Sequence, residues 1–331
     1  MVGLRASSRL HFGLLNPGAD QRGGPAAQRL FGGVGLMIER PGLRLSVEPS
    51  ASWSAQGPLS ERALAFAHRC AQSIRHERAD IDLPPRRLVI EWAAPEHVGL
   101  GTGTQLGLAV ARALAASWGV EADVPTLARW VGRGLRSALG AHGFAQGGFL
   151  VEAGKRAAEG LAPLVARLAF PDDWRVVVVL PRDEERSAGW YGLREAEAFA
   201  QLAARPADPG RIDLLCRLVL LGLLPALVER DGEAFGEALY EFNVRVGEAF
   251  APVQGGVYAG ADVAEVVAFV RGQGIRGAGQ SSWGPGVFAV VADADRAEHL
   301  SARLRTRFVL EDSAVRVTQA CNHGADRWLG G

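Results

Sequence analysis

The chain has 331 residues, 48% of them hydrophobic, and its 36 basic and 36 acidic residues cancel to a net charge of zero. This length and apolar content predict one large or two medium-sized domains with a substantial core. The balanced charge provides no bulk attraction to nucleic acid or to an anionic membrane, so an anion site has to be local.

Cysteine usage and apolar patterning narrow the class further. The three cysteines are widely spaced and form no CxxC pair, which argues against a disulfide framework and against a cysteine zinc site. The first nine residues lack the apolar core of a signal peptide, and the most apolar run, 214–228, is short for a membrane span and contains Arg217 and Pro225. We therefore expect a soluble cytoplasmic protein with neither a membrane nor a nucleic-acid partner.

The first half of the chain alternates between strand-like and helix-like patterns. Alternating polarity predicts strands, and apolar residues at helical spacing predict helices. The predicted elements are strands over 9–15, 34–39, 44–47 and 87–92 and helices over 59–74, 105–118 and 125–139. A long loop is predicted over 16–33, and a second loop, rich in glycine, over 140–151, where it ends in a strand.

A glycine-rich turn leads from the strand at 87–92 into a long apolar helix. Its sequence is Pro95-Glu96-His97-Val98-Gly99-Leu100-Gly101-Thr102-Gly103-Thr104-Gln105. Three glycines in five residues let the backbone approach an anion, and the helix directs its unpaired N–H groups and positive dipole end at the same place. Hydroxyl and amide side chains at 102, 104 and 105 add donors. We predict that residues 99–105 bind phosphate; a tight connection without a ligand is the alternative.

Lysine usage limits what kind of phosphate loop this is. Lys155 is the only lysine in the chain. A Walker loop requires a Gly-Lys-Ser/Thr sequence, so that nucleotide-binding motif is excluded. Arginine must therefore supply most of the fixed positive charge that holds phosphate or carboxylate groups.

The amino-acid composition changes at the start of the second half of the chain. Residues 157–173 are rich in alanine, proline and charge and predict a domain edge, so we divide the chain into domains 1–168 and 169–331. The predicted elements are strands over 174–180, 287–291 and 314–318 and helices over 194–204, 212–230, 232–250 and 261–272. A third glycine-rich loop is predicted over 277–286.

The three glycine-rich segments together resemble the GHMP small-molecule kinase superfamily. The family's Pro-x-x-x-Gly-Leu-Gly-Ser-Ser loop is matched at 95–103, and its C-terminal glycine motif at Arg276-Gly277-Ala278-Gly279-Gln280-Ser281-Ser282. The resemblance implies an α+β, GHMP-kinase-like fold of two domains. The N-terminal domain carries the phosphate-loop helix across a mixed sheet, and the C-terminal domain is ferredoxin-like.

The middle motif departs from the kinase pattern. Many of these kinases carry Ser-Gly-x-Asp ahead of a Gly-Gly pair, and the aspartate deprotonates or positions the accepting hydroxyl. Here Ser137-Ala138-Leu139-Gly140 stands at the same spacing, so glycine occupies the aspartate position. This pattern favours an anionic substrate and argues against ordinary phosphoryl transfer to an alcohol.

That combination resembles a divergent GHMP branch, the β-ribofuranosylaminobenzene 5′-phosphate synthase family. The resemblance rests on five segments, 8–14, 99–105, 136–149, 254–256 and 279–285. It implies a pentosyltransferase in tetrahydromethanopterin biosynthesis that couples phosphoribosyl pyrophosphate to 4-hydroxybenzoate or 4-aminobenzoate and releases CO2 and pyrophosphate. It also implies Mg2+ as the companion of the diphosphate, and a homodimer.

Candidate site residues follow from the motifs and the resemblance. For catalysis we select His142, His11 and Asp20, with a core position as the alternative for His11. Arg9, Arg136 and Arg22 are candidate clamps for the sugar phosphate or the benzoate. Further substrate contacts are predicted at Ser137, Gly279, Gln280, Ser281 and Ser282. Glu96 is the candidate Mg2+ ligand, with simple exposure as its alternative.

Two other functions remain open at this stage. One is an ATP-dependent GHMP kinase that uses another acid, such as Asp20, in place of the missing aspartate. The other is a catalytically inactive binding relative, which would explain the lost aspartate without new chemistry. The choice between hydroxy and amino benzoate also stays open.

Overall fold

A computed structural model describes residues 1–18, 29–156, 160–180, 194–203, 205 and 208–329. Its strands are β1 (Val2–Asn16), β2 (Phe31–Pro49), β3 (Ser54–Gln56), β4 (Arg86–Trp92), β5 (Phe149–Glu152), β6 (Leu164–Leu168), β7 (Arg175–Val179), β8 (Gly277–Gln280), β9 (Val287–Val291), β10 (Val315–Thr318) and β11 (Asp326–Leu329). Its helices are α1 (Ser60–Glu77), α2 (Thr102–Ser117), α3 (Val124–Trp130), α4 (Leu139–Gln146), α5 (Arg194–Ala203), α6 (Pro209–Leu218), a π-helical turn (Val219–Leu223), α7 (Leu224–Glu229), α8 (Gly232–Gln254), α9 (Ala261–Gly272) and α10 (Ala294–Phe308).

The first sheet is built around a long antiparallel pair, β1 and β2. Its strand order is β11-β1-β2-β4-β3, and β5 and β6 branch from β2. The predicted short strands at 34–39 and 44–47 are parts of one strand, β2, which pairs with β1 along nearly its whole length. Helix α2 packs on β1 and β2 and against α1. Because alanine, leucine and valine surround α2 on almost every side, the helix is buried along its length and its N-terminus is held rigidly.

The second sheet has the order β10-β7-β9-β8 and is antiparallel throughout. In chain order its elements run strand, helices, strand, strand, helix, strand, which is the ferredoxin-like arrangement. The predicted α+β class and the ferredoxin-like C-terminal arrangement are thereby confirmed. Aspartate side chains fix the starts of two of its helices, since Asp231 accepts hydrogen bonds from the first turn of α8 and Asp293 from that of α10.

One aromatic cluster joins the two sheets. Phe12 on β1 lies 4.9 Å from Phe288 on β9 and 6.3 Å from Phe149 on β5, measured between ring centroids. Strand β11 then returns the chain to the first sheet, where it pairs with the start of β1. Residues 326–329 thus belong to the first sheet, although they lie in the second of the two predicted domains. The division of the chain at 168/169 stays a prediction.

Several local predictions were wrong. The glycine-rich segment 140–146 belongs to helix α4, and α3 ends at Trp130 instead of continuing to residue 139. Glycine is needed in α4 for packing, because a Cβ atom at Gly143 would lie 2.2 Å from the Met37 sulfur. Residues 277–280 form a buried strand, and α10 and β11 were not predicted.

None of the described helices combines the length and the apolar character that crossing a bilayer requires.

Candidate active site

The predicted phosphate loop ends at the N-terminus of α2. Gly101 adopts a left-handed conformation, with φ at 70°, and no side chain caps the helix there. The Thr102 hydroxyl does not point at a ligand, because it donates a hydrogen bond to Pro95 O at 2.7 Å and closes the loop on itself. The first backbone N–H groups of α2 have no capping side chain, and such groups at a helix N-terminus are suited to an anion.

Three guanidinium groups converge on the glycines of this loop. A Cβ atom built on Gly101 would lie 2.9 Å from Arg9 Nε. One built on Gly103 would lie 2.5 Å from an Arg62 nitrogen and 3.3 Å from an Arg133 nitrogen. The absence of side chains at these positions thus lets arginine reach the helix N-terminus, where guanidinium and backbone N–H groups can bind one phosphate together. Arg9 was predicted, whereas Arg62 and Arg133 were not.

The loop forms one wall of a cavity of about 320 Å³. Arginine and hydroxyl side chains contribute to its lining, at Arg9, Arg62, Arg133, Arg136 and Ser137. Apolar side chains also line it, at Leu14, Val246, Phe250, Val257 and Trp283. A single cavity therefore combines groups suited to an anion with apolar surface suited to an uncharged flat group.

The C-terminal glycine segment mainly forms hydrogen bonds with neighbouring segments, and only part of it lines the cavity. The Ser281 hydroxyl accepts a hydrogen bond from His11 N at 3.0 Å and donates one to Gly99 O at 2.7 Å. The Gln280 side chain is committed to the backbone of Ala259 and of Ser282. Of the four residues predicted at 279–282, only Gln280 and Ser282 line the cavity, and Gly279 lies in strand β8 against Asn243.

Gly140 lies directly beside the phosphate loop. The Gln105 amide donates a hydrogen bond to Gly140 O at 2.9 Å, and a Cβ atom on Gly140 would approach Thr104 Cγ2 to 2.9 Å. Gln105 therefore supports the loop from beneath and does not line the cavity. The position where the kinase motif carries aspartate is occupied by backbone in contact with α2.

His11 and Ser137 contact each other in the lining of the cavity. His11 Nε2 lies 3.3 Å from Ser137 Oγ, and both residues line the cavity. Burial, together with the positive charge of Arg9, holds the pKa of His11 well below its ordinary value, so the ring is neutral at physiological pH. The alternative that His11 is a pure core residue is too simple, because the ring is buried and also borders the cavity.

A buried acid that the sequence analysis missed lies behind Ser137. Glu152, the last residue of β5, has no solvent exposure, and its Oε2 accepts a hydrogen bond from Ala138 N at 2.6 Å. Burial raises its pKa, and the neighbouring Ser137 hydroxyl, Ala138 N–H and Arg9 oppose that shift. A glutamate at the end of the apolar run Phe-Leu-Val-Glu was the available signal.

His142 does not reach the cavity. It lies in α4, and its Nε2–H donates a hydrogen bond to Ala162 O at 2.7 Å. The helix turns this side chain away from the phosphate loop, so its selection as a catalytic residue has no support from the geometry. Asp20 and Arg22 lie outside the described residues.

Glu96 lines the cavity, but its carboxylate forms an ion pair with Arg62. Among the described residues there is no group of three or more histidine, cysteine, aspartate or glutamate side chains that could hold a metal ion. An all-protein Mg2+ site is therefore not formed by these residues. A single carboxylate is compatible only with a Mg2+ ion that arrives with phosphate oxygens and water as its other ligands.

Comparison with known proteins assigns the family. Residues 65–149 match the GHMP kinases N terminal domain, and residues 223–310 match the GHMP kinases C terminal domain. The β-ribofuranosylphenol 5′-phosphate synthase of Methanothermobacter thermautotrophicus is 30% identical over 87% of this chain and 88% of its own length. The chain belongs to this synthase family. The synthase of the same name from Archaeoglobus fulgidus is 31% identical over 98% of the chain and 99% of its own length.

The family predicted from the glycine-rich motifs is thus confirmed, and the chain is an enzyme of the synthase type. Solved structures agree on the fold. A mevalonate diphosphate decarboxylase from Enterococcus faecalis superposes with a TM-score of 0.62 at 14% identity, covering 98% of this chain and 99% of that one. A homoserine kinase from Cytophaga hutchinsonii gives 0.59 at 15% identity, covering 99% and 97%. At these identities the likeness extends to the fold alone.

Proposed function

We propose that this synthase condenses phosphoribosyl pyrophosphate with a 4-substituted benzoate, 4-hydroxybenzoate or 4-aminobenzoate, and releases CO2 and pyrophosphate. The pathway proposed with this activity is tetrahydromethanopterin biosynthesis. The observation that carries the proposal is a single cavity whose lining combines the glycine-rich loop and several arginines with apolar and aromatic side chains. The relatives' name refers to a ribofuranosylphenol, which favours the hydroxy acid as acceptor.

The diphosphate of the donor could bind to the glycine-rich loop and the arginines of the cavity lining. Backbone N–H groups at the start of α2 and the guanidiniums of Arg9, Arg62 and Arg133 would bind its oxygens. These groups are already in place before the ribosyl–oxygen bond breaks, so they stabilise the charge that develops on the departing diphosphate. In this proposal a loop used for ATP in kinases holds a leaving group.

The aromatic ring of the acceptor could pack against the apolar residues of the cavity lining. Phe250 and Trp283 lie with ring centroids 5.7 Å apart and, with Val246, form a surface for a flat group. A ring held there presents the carbon that carries the carboxylate to the sugar. That carbon attacks the oxocarbenium-like C1 of the ribose, and loss of CO2 then restores aromaticity.

Mg2+ stays part of the proposal. When bound, it would neutralise charge on the diphosphate and help it to depart. Glu96 is the carboxylate of the cavity lining that could hold it, after giving up its ion pair with Arg62. The homodimer predicted by resemblance also remains a proposal.

The proposal is tested with purified protein, Mg2+ and phosphoribosyl pyrophosphate. Each benzoate is supplied in turn with its carboxylate carbon labelled, and pyrophosphate and labelled CO2 are followed. We expect both products in equal amounts, dependent on the presence of the acceptor. If neither benzoate releases CO2 the synthase reaction is refuted.

A parallel reaction with ATP as the donor separates the alternatives. Formation of ADP with a small alcohol in place of CO2 release would favour the kinase function. Absence of any product with either donor, from a protein that still binds phosphoribosyl pyrophosphate, would favour an inactive binding relative. The glycine at 140 argues against the kinase outcome, since it provides no acid at the motif position.

A further inference from the structure

The carboxyl group of Glu152 lies buried behind Ser137, outside the lining of the cavity. The residue is fully buried at the end of β5. Its Oε2 accepts the hydrogen bond from Ala138 N, whereas Oε1 accepts no hydrogen bond from any residue that the structure describes. A buried carboxylate oxygen without a donor is costly, and protonating the group removes that cost. This group is suited to taking up a proton.

Charged and titratable neighbours tune this carboxyl without neutralising it fully. Arg9 on β1 favours its ionised form, and His11, two residues further along β1, is kept neutral. Lys155 lies three residues beyond Glu152 in the chain; burial lowers its pKa, and the charge of Glu152 opposes that shift. The net effect at Glu152 is a raised pKa, which moves the carboxyl towards the range in which a general base works at neutral pH.

Ser137 connects Glu152 to the cavity. Its hydroxyl lies beside the carboxyl, where it favours the ionised form, and it also lines the cavity. His11 Nε2 is 3.3 Å from the same Oγ atom. If Nε2–H donates to Oγ, the hydroxyl proton of Ser137 is free to point at Glu152. The second lone pair of Oγ accepts a hydrogen bond from Leu139 N at 3.3 Å. A ligand hydroxyl would take the place of that bond, and the Leu139 N–H, which also stabilises the Glu152 carboxylate, would remain with the carboxylate.

We propose that Glu152, acting through Ser137, is the acid–base group that removes and returns the proton of the acceptor's ring hydroxyl, and that His11 positions Ser137. This inference rests on the proposed function. It supplies from β5 the acid that is missing at Gly140. It also gives a chemical role to a carboxyl that the phosphate loop and the arginines do not require.

The proton and electron movements balance within the proposed reaction. The ring hydroxyl gives its proton to Ser137 Oγ while Ser137 gives its own to Glu152, and the ring becomes a stronger carbon nucleophile. The ring carbon that bears the carboxylate forms the bond to ribose C1 as the bond from C1 to the diphosphate oxygen breaks. The electron pair of the ring–carboxylate bond then returns to the ring and CO2 leaves. Glu152 finally returns its proton through Ser137 to the product phenol.

A purely structural role makes a different prediction. In that case Glu152 only holds the start of α4 through Ala138 N, and its replacement would lower the rate with every acceptor equally. The relay, in contrast, is needed only where a hydroxyl proton must move. The nitrogen of 4-aminobenzoate donates its lone pair to the ring without losing a proton. The two acceptors therefore separate the two roles.

The test compares wild-type protein with Glu152→Gln and Ser137→Ala, using 4-hydroxybenzoate and 4-aminobenzoate at saturating phosphoribosyl pyrophosphate. General acid–base groups contribute roughly 10²–10⁴-fold, so we expect kcat/KM for the hydroxy acid to fall by about 10² or more. The value for the amino acid should change little. Glu39→Gln is the matched control, because Glu39 lies on β2 outside the cavity and accepts a hydrogen bond from Gln319 at 3.0 Å. Thermal unfolding of each variant checks the fold.

The pH dependence provides a readout that a structural role would not move. With 4-hydroxybenzoate, wild-type kcat/KM should rise with pH as Glu152 ionises, and that limb should vanish in Glu152→Gln and persist in Glu152→Asp. Equal losses with both acceptors, or an unchanged limb in Glu152→Gln, would overturn the relay and leave the synthase function standing. So would a wild-type enzyme that accepts only the amino acid. A wild-type enzyme inactive with both benzoates would instead refute the proposed function itself.

Discussion

The Ser281 hydroxyl donates a hydrogen bond to the backbone oxygen of Gly99 at 2.7 Å, joining segments 182 residues apart. The Ser281 hydroxyl oxygen in turn accepts a hydrogen bond from His11 N at 3.0 Å. Strand β1, the phosphate loop and the C-terminal glycine segment therefore meet at one buried side chain. Ser281 does not line the cavity, so the predicted substrate contact at this residue has no support from the geometry, and its hydroxyl instead holds the loop.

Removing this hydroxyl should cost both stability and donor binding. In Ser281→Ala, Gly99 O and His11 N lose a buried partner, which costs about 1–3 kcal/mol in the free energy of unfolding. The loosened loop should also raise KM for phosphoribosyl pyrophosphate. Urea unfolding and steady-state kinetics measure the two effects, with Ser313→Ala as an exposed control. Unchanged stability would show that the two hydrogen bonds contribute nothing net.

Arg62 should contribute strongly to holding the donor. Charge-assisted hydrogen bonds are worth about 1.5–3 kcal/mol, so Arg62→Met should raise KM for phosphoribosyl pyrophosphate by roughly 10–100-fold. The variant also leaves the Glu96 carboxylate without its cation at the mouth of the loop. Arg44→Met is the control, because Arg44 has similar exposure and pairs with Glu91 away from the cavity. An effect confined to KM for the benzoate would contradict this assignment.

The phosphate loop could be predicted because its information is local. Glycine spacing, the preceding strand and the apolar helix all lie within one segment, and α2 begins three residues earlier than the pattern indicated. Arg62 and Arg133 could not be found in the same way. They reach Gly103 only because α1 and the α3–α4 connection pack beside α2, which is a tertiary relationship.

His142 and Glu152 also show that tertiary packing limits what the sequence can predict. His142 was selected and does not line the cavity, whereas Glu152 lies behind Ser137 and was not selected. The glycine-rich segment favoured a loop with His142 as a catalytic candidate, but the segment is helical, Gly143 packs against Met37, and His142 donates a hydrogen bond to Ala162 O. Glu152 carried only the weak signal of one acid ending an apolar strand. Its proximity to Ser137 depends on how β5 and the start of α4 fold back on each other.

Gly140 should not tolerate the kinase motif's aspartate. A Cβ atom there already approaches Thr104 Cγ2 to 2.9 Å, and a carboxylate would add a negative charge beside the phosphate loop. Gly140→Asp should therefore lose synthase activity without gaining kinase activity. Gly140→Ala isolates the steric part and should lose less. Appearance of ATP-dependent phosphorylation in Gly140→Asp would show that the missing acid alone separates the two reactions.

The buried neutral His11 should make stability fall in mild acid. Its folded-state pKa lies well below the ordinary 6.5, so the unfolded chain binds a proton that the folded protein does not. The stabilisation is therefore present above pH 6.5 and is lost as pH falls from 6.5 through the folded-state pKa. Urea unfolding of wild type and His11→Gln across this window should show a steeper loss for wild type. Parallel curves would contradict a depressed pKa.

Phe250 should determine affinity for the aromatic acceptor and not for the donor. Phe250 lines the cavity, and its ring packs beside that of Trp283. In Phe250→Ala we expect KM for the benzoate to rise about 10-fold, equivalent to about 1.4 kcal/mol, with KM for phosphoribosyl pyrophosphate unchanged. Phe269→Ala serves as the control, because Phe269 packs on Phe308 with centroids 5.5 Å apart and does not line the cavity. A rise in KM for the donor alone would contradict this assignment, because the diphosphate and not the benzoate would then have to lie against Phe250.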